Sequence, residues 1–192
     1  VQETKEQSPL ALFHKAQQVF NDTRFYWESA DEQFAFVGFG EMVTIETNDE
    51  TNGRYANVSR LWQRLLEKHH SPEESRPILF GGFSFDPRQT IRSEWKHYPS
   101  AAFVVPAIQW TRRNGKEVVA FHAIGTEEET TRRLDELQQL WTFVQSVKLP
   151  QLQQVPAHTL HEQQVDNYKR AVRETVQAIQ QNKAKKVVIA RA

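Results

Sequence analysis

"AAFVVPAIQWTRRNGKEVVAFHAIG", Ala101 to Gly125, is the stretch whose reading decides the fold class. Two runs rich in branched and aromatic residues flank "TRRNGK", where the Asn114-Gly115 pair favours a tight hairpin turn. The runs are expected to pair antiparallel, residues near Val105 to Thr111 against those near Glu117 to Ile124. Pro106 cannot donate to a ladder, which predicts an edge or a bulge at that point.

Downstream, "TEEETTRRLDELQQLWTFVQSV" reads as a helix. Thr126 and Glu129 form a capping box, and Leu134, Leu137, Trp141 and Val144 line one face. Upstream, "RPILFGGFSFDP", Arg76 to Pro87, reads as a strand interrupted by Gly81 and Gly82. Glycine inside a strand forgoes side-chain packing, so the pair predicts close approach of a neighbouring element more than contact with a ligand. Val58, Leu61, Trp62, Leu65 and Leu66 have helical spacing. Further upstream, "RFYWES" and "FAFVGFGEMVTIE" read as strands, with Gly38 and Gly40 marking a bend or bulge. Ser8 and Pro9 open a first helix with the stripe Leu12, Phe13, Ala16, Val19 and Phe20.

"LPQLQQVPAHTLHEQQ" carries two prolines and little periodicity, and reads as a linker. Tyr168, Ala171, Val172, Thr175, Val176 and Ile179 then form an amphipathic helix that runs into the basic turn "NKAKK" and an apolar strand, "VVIA". Hairpins with helices between them, and no regular strand–helix–strand alternation, argue for an α+β fold with a largely antiparallel sheet. The expected division is an N-terminal lobe over residues 1–150, a linker over 151–165 and the start of a second domain over 166–192. An apolar strand at the last residues reads as the start of something longer, so the chain is expected to be an N-terminal fragment.

The 192 residues carry 24 basic and 24 acidic side chains. With no net charge there is no general field to recruit nucleic acid or an anionic membrane, and neither partner is expected. The pairs Arg112-Arg113 and Arg132-Arg133 read as solvated faces. The absence of cysteine excludes disulfides, a thiolate nucleophile and cysteine-based metal sites, and it fits a cytoplasmic location. No apolar run is long enough to span a bilayer. No phosphate loop, dinucleotide fingerprint, HExxH or GxSxG is present. His158 and His161 lie three apart without a nearby third ligand, which argues against a metal site there. His69-His70 reads as a polar helix end. Core packing is the better reading for most of the five tryptophans, Trp27, Trp62, Trp95, Trp110 and Trp141. From physics alone, Lys185 and Lys186 read as charges that complement a helix C-terminus.

"NKAKKVVIAR" after an amphipathic helix resembles the "KVVLAR" element that opens the catalytic domain of isochorismate synthases, within the chorismate-utilising enzymes. "RFYWES", "FVGFG", "ILFGGFSFDP" and "YPSAAFVVPAIQW" resemble the N-terminal lobe of that family in the same order. The likeness covers nearly the whole chain. Sister enzymes that use ammonia usually carry "GGxxGYxxYD" where this chain has "GGFSFDP", and Gln where it has Lys186. Water is a far poorer nucleophile than ammonia, and a lysine kept neutral by burial can activate it. The resemblance therefore implies Lys186 as catalytic base for water addition to chorismate, feeding menaquinone or siderophore synthesis. Salicylate synthases share this lysine and are the competing enzymatic reading; a self-standing binding module is the non-catalytic one. The resemblance also implies a Mg2+ cofactor, with its ligands and a glutamic general acid in the part of the family pattern that follows "KVVLAR". As a fragment, the chain alone is expected to be inactive.

Overall fold

Asn114 (φ 50°) and Gly115 (φ 79°) close the hairpin in the computed structural model, which describes residues 8–48, 53–67, 72–85, 97–149 and 165–189. Both turn residues take the left-handed conformation, which matches the twist of the flanking strands. β6 (Ile108–Arg113) and β7 (Lys116–Phe121) run antiparallel, from Arg113 opposite Lys116 to Ile108 opposite Phe121. A further bond, from the His122 amide to the Ala107 carbonyl at 2.8 Å, extends the ladder by one step. The expected hairpin is therefore present from Ala107 onward.

Val105 does not belong to it. Pro106 splits the apolar run into β5 (Ala101–Val105), in one sheet, and β6, in another. Where the sequence predicted an edge or a bulge, the proline marks a change of sheet. The other crossing lies beside it. β2 (Phe34–Phe39) belongs to the sheet of β6, and β3 (Val43–Thr47) to the sheet of β5. Between them Gly40 (φ 63°) supplies the bend, while Gly38 stays in an unbroken ladder. A Cβ on Gly38 would lie 2.9 Å from the Pro106 Cβ, so its absence lets the two crossings pack together.

The chain divides into two units, Val1–Pro150 and Gln151–Ala192. In the first, β1 (Arg24–Glu28), β2, β6 and β7 form a four-stranded antiparallel sheet in that order. β3, β5 and β4 (Phe80–Phe83) form a three-stranded antiparallel sheet. α1 (Pro9–Lys15) and α3 (Glu127–Ser146) cover one face of the larger sheet. Alternation along the strands places Ala35, Val37, Phe39, Ile108, Trp110 and Val119 in one core with Leu12, Ala16, Leu137, Trp141 and Val144 from the helical side. Ser8 caps α1, its hydroxyl accepting from the Ala11 amide, and Pro9 sits in the first turn. Thr126 and Glu129 close the expected capping box on α3.

The other face of the larger sheet meets β4. Phe80 packs on Phe36 at 4.1 Å and on Phe25 at 5.0 Å between ring centroids. α2 (Gly53–Glu67) covers the smaller sheet through Val58, which joins Ile45 and Ala101 in a second core. Leu61 on α2 stays 41% exposed, so the helical stripe is only partly used. The observed fold is α+β with antiparallel sheets, as the sequence indicated.

Gly81 and Gly82 divide in function. Gly81 (φ 153°) lies against β5: a Cβ there would collide with the Ala102 carbonyl oxygen and lie 2.6 Å from the Phe103 Cα. A Cβ on Gly82 would meet nothing within 4 Å. Close approach explains the first glycine; nothing in the structure explains the second. The reading of Arg112 as a solvated side chain is also corrected. It reaches Glu28 at 2.6 Å, and the two side chains are 15% and 22% exposed. Trp110 and Trp141 are core residues, whereas Trp27 is 51% exposed. Trp95, His69, His70, His158 and His161 lie outside the described residues.

Candidate functional site

In the second unit, α4 (Val165–Gln180) is the 16-residue helix expected from the periodicity. Its end is built by Asn182, which takes φ 58°. The Asn182 amide donates to the Ile179 carbonyl at 2.9 Å, and the Lys183 amide to the Ala178 carbonyl at 2.9 Å. This pair of nested bonds is the Schellman arrangement, with asparagine in the left-handed position usually held by glycine. It satisfies carbonyls that the helix itself cannot, and it ends the helix within "QQNKAKK".

Lys185 and Lys186 follow, both exposed, on a segment without regular secondary structure. Val187 is 46% and Val188 81% exposed. The sequence predicted a strand here. β-branched residues favour a strand only when a second strand supplies ladder partners and a surface to pack on. Among the described residues none pairs with Val187–Ile189. The chemistry available at Lys186 is that of an amine on a mobile four-carbon stem, which becomes a base where its surroundings keep it neutral.

No group of three or more histidine or acidic residues that could hold a metal ion occurs among the described residues. The described residues do not by themselves fit a magnesium centre. No helix among them is long and apolar enough to cross a membrane.

One buried cation escaped the sequence reading. Arg54, 2% exposed, stands in the first turn of α2. Its guanidinium donates to Ser84 Oγ at 2.6 Å and to the Tyr55 hydroxyl at 2.9 Å, and it lies 4.8 Å from the Tyr55 ring centroid. It ties α2 to the residue that follows β4, at the end of the "GGFS" motif. The only signal in the sequence was an arginine at the mouth of a helix, where a cation opposes the dipole and needs a separate reason to be placed.

Three comparisons bear on what this arrangement belongs to. Residues 1–192 match the family described as "Chorismate binding enzyme". The isochorismate synthase MenF of Bacillus subtilis is 27% identical over 192 residues, covering 95% of this chain and 41% of that protein. The chain thus spans less than half the length of the curated relative it matches. Among solved structures, MenF, the menaquinone-specific isochorismate synthase from Escherichia coli, is similar at 16% identity and a TM-score of 0.46, covering 90% of this chain and 34% of that one.

Proposed function

The chain belongs to the chorismate binding enzyme family, and from that premise we propose that it is part of an isochorismate synthase of the menaquinone type. The observation that carries this reading is the likeness to the isochorismate synthase of Bacillus subtilis along 95% of the chain. The presence of lysine at position 186, within "KKVVIAR", supports it. In this reading residues 1–150 are the N-terminal lobe, 151–165 connect the lobes, and 166–192 open the catalytic domain.

The proposed substrate is chorismate. Water adds at ring carbon 2, the ring double bond shifts, and the hydroxyl at carbon 4 departs with a proton as water. One water enters and one leaves, so the net change is an isomerisation. Lys186 takes a proton from the entering water. An amine can do this near neutral pH only if desolvation or a nearby cation keeps it unprotonated. A magnesium requirement and a cytoplasmic location belong to the same proposal.

The test is product analysis. The full-length protein, incubated with chorismate and magnesium, is expected to form isochorismate and no aromatic product. Salicylate as the product would move the reading to the competing synthase. No consumption of chorismate, or consumption only with ammonia, would overturn it. The 192-residue chain alone, which spans 41% of the Bacillus relative, is expected to leave chorismate unconverted.

A further inference from the structure

A cleft of about 290 Å3 opens in the first unit, on the face of the larger sheet turned toward β4. The segment Arg76–Leu79 forms one wall, Trp62 of α2 a second, and Gln109, Thr111 and Arg113 of β6 the base and rim. The volume sits at the small end of the range of ligand sites and suits a single six-membered ring with one substituent.

The base is rigid. Gln109 is 1% exposed, and its side chain bridges the wall opposite. Its Oε1 accepts from the Ile78 amide at 2.9 Å, and its Nε2 donates to the Arg76 carbonyl at 2.9 Å. A side-chain amide locked to two backbone groups holds the wall at a fixed distance from the sheet, as a preformed site requires.

The lining has donors to spare. Thr111 is 6% exposed, and its hydroxyl has no hydrogen-bond partner among the described residues. The same holds for the Trp62 indole N–H. Arg113 lies 5.1 Å from the Phe34 ring centroid and has no carboxylate partner among the described residues. The acidic groups on the rim are engaged: Glu73 pairs with Arg76 at 3.6 Å, and Glu74 with Lys116 at 2.9 Å. Of the charged lining residues Glu73, Glu74, Arg76 and Arg113, Arg113 is the one without an ion-pair partner among the described residues, and the Thr111 hydroxyl and the Trp62 indole N–H beside it can donate. Apolar surface from Pro77, Ile78 and Leu79, with the Trp62 ring, completes it.

We propose that this cleft binds a small cyclic carboxylate, its ring between Trp62 and Leu79 and its carboxylate on Arg113 and Thr111. Arginine recognises a carboxylate through paired N–H donors, and an indole face packs on a flat ring. The proposal does not depend on the function proposed for Lys186.

Benzoate is the probe, with benzamide as its uncharged counterpart. The full-length protein, labelled with nitrogen-15 in tryptophan and glutamine, is titrated and followed by NMR. The Trp62 indole and the Gln109 side-chain amide are expected to shift with saturation, at a dissociation constant on the order of 1 mM for so small a ligand. Arg113→Gln is expected to weaken binding about tenfold, as loss of one charge-assisted contact does. An unaltered Gln109 amide signal in the free Arg113→Gln protein shows that the cleft is intact. Shifts that bypass Trp62 and Gln109, equal binding of benzamide, or unchanged affinity in Arg113→Gln would each overturn the proposal.

Discussion

Glu28 and Arg112 meet at 2.6 Å over the top of Ala35, the residue that stands between them in the sheet. β2 separates their strands, so the two side chains can touch only because the intervening one is a methyl group. Glu117 faces Arg112 from β7, so the row reads Glu28, Ala35, Arg112, Glu117 across four strands. Tyr26 adds to it: its hydroxyl donates to Glu28 at 2.7 Å, and that carboxylate holds the phenol above its usual range. The row closes one end of the core that Trp110 fills, with the Arg112 guanidinium 5.9 Å from that ring centroid.

Removing one half of this pair is expected to cost more than an exposed ion pair would. Arg112→Met is expected to lower stability by about 1–2 kcal/mol, between the figures for exposed and fully buried pairs. Chemical denaturation of the single variants and of Arg112→Met with Glu28→Gln measures it. The double variant is expected to lose less than the sum of the two singles; strict additivity would show that the contact contributes nothing.

The two glycines of "FGGF" should respond in opposite ways. At Gly81 a methyl group collides with the Ala102 carbonyl, and the neighbour is backbone, which cannot swing aside. Gly81→Ala is expected to destabilise by roughly 3 kcal/mol or more, from overpacking and an unfavourable φ together. Gly82→Ala enters open space and is expected to stay within about 0.5 kcal/mol of the parent. Equal effects in thermal unfolding would remove the close-approach explanation.

What the sequence made legible follows from the range of the interactions involved. Asn114-Gly115, Ser8-Pro9 and the pair Thr126 and Glu129 act within four residues, so turn and caps could be read without knowing the fold. Pro106 was legible as a ladder breaker, but its use as a crossing point depends on Gly38 lying against it, 68 positions earlier in the chain. Arg112 looked like a surface charge because its partner is 84 residues away. The strand expected at Val187–Ile189 shows the same limit from the other side: branched residues state a preference, and only a pairing partner realises it. Lys186 was singled out by likeness to a family, and nothing in its local surroundings distinguishes it from Lys185.

The cap of α3 makes stability depend on pH. The Thr126 amide, at 2.9 Å, and the Thr126 hydroxyl hold the Glu129 carboxyl below its ordinary value of 4.5. A folded-state value below the unfolded one contributes stability that is fully present above the unfolded value and disappears as pH falls through the folded one. The difference in melting temperature between the parent and Glu129→Gln is therefore expected at neutral pH and should vanish in strong acid. A difference that persists unchanged well below pH 4.5 would mean that the carboxylate charge plays no part in the cap.

Lys186 carries the proposed chemistry, and its neighbour supplies the control. In the full-length protein, Lys186→Ala is expected to lower turnover of chorismate by about two to four orders of magnitude, the usual range for losing a general base. Binding of chorismate should change much less, because the base acts on water and not on the substrate carboxylate. Where this segment forms a strand in the proposed full-length fold, side chains alternate, so Lys185 and Lys186 cannot both face one site. Lys185→Ala is therefore expected to retain most of the turnover. The profile of the parent should show a group that must be unprotonated for activity, and this limb should be absent in Lys186→Ala. If Lys185→Ala were the inactive variant, water activation would stand with the base one residue earlier. If both variants kept near-parental turnover, each lysine would be a solvated charge after the helix, and the water-activating role proposed for position 186 would be lost.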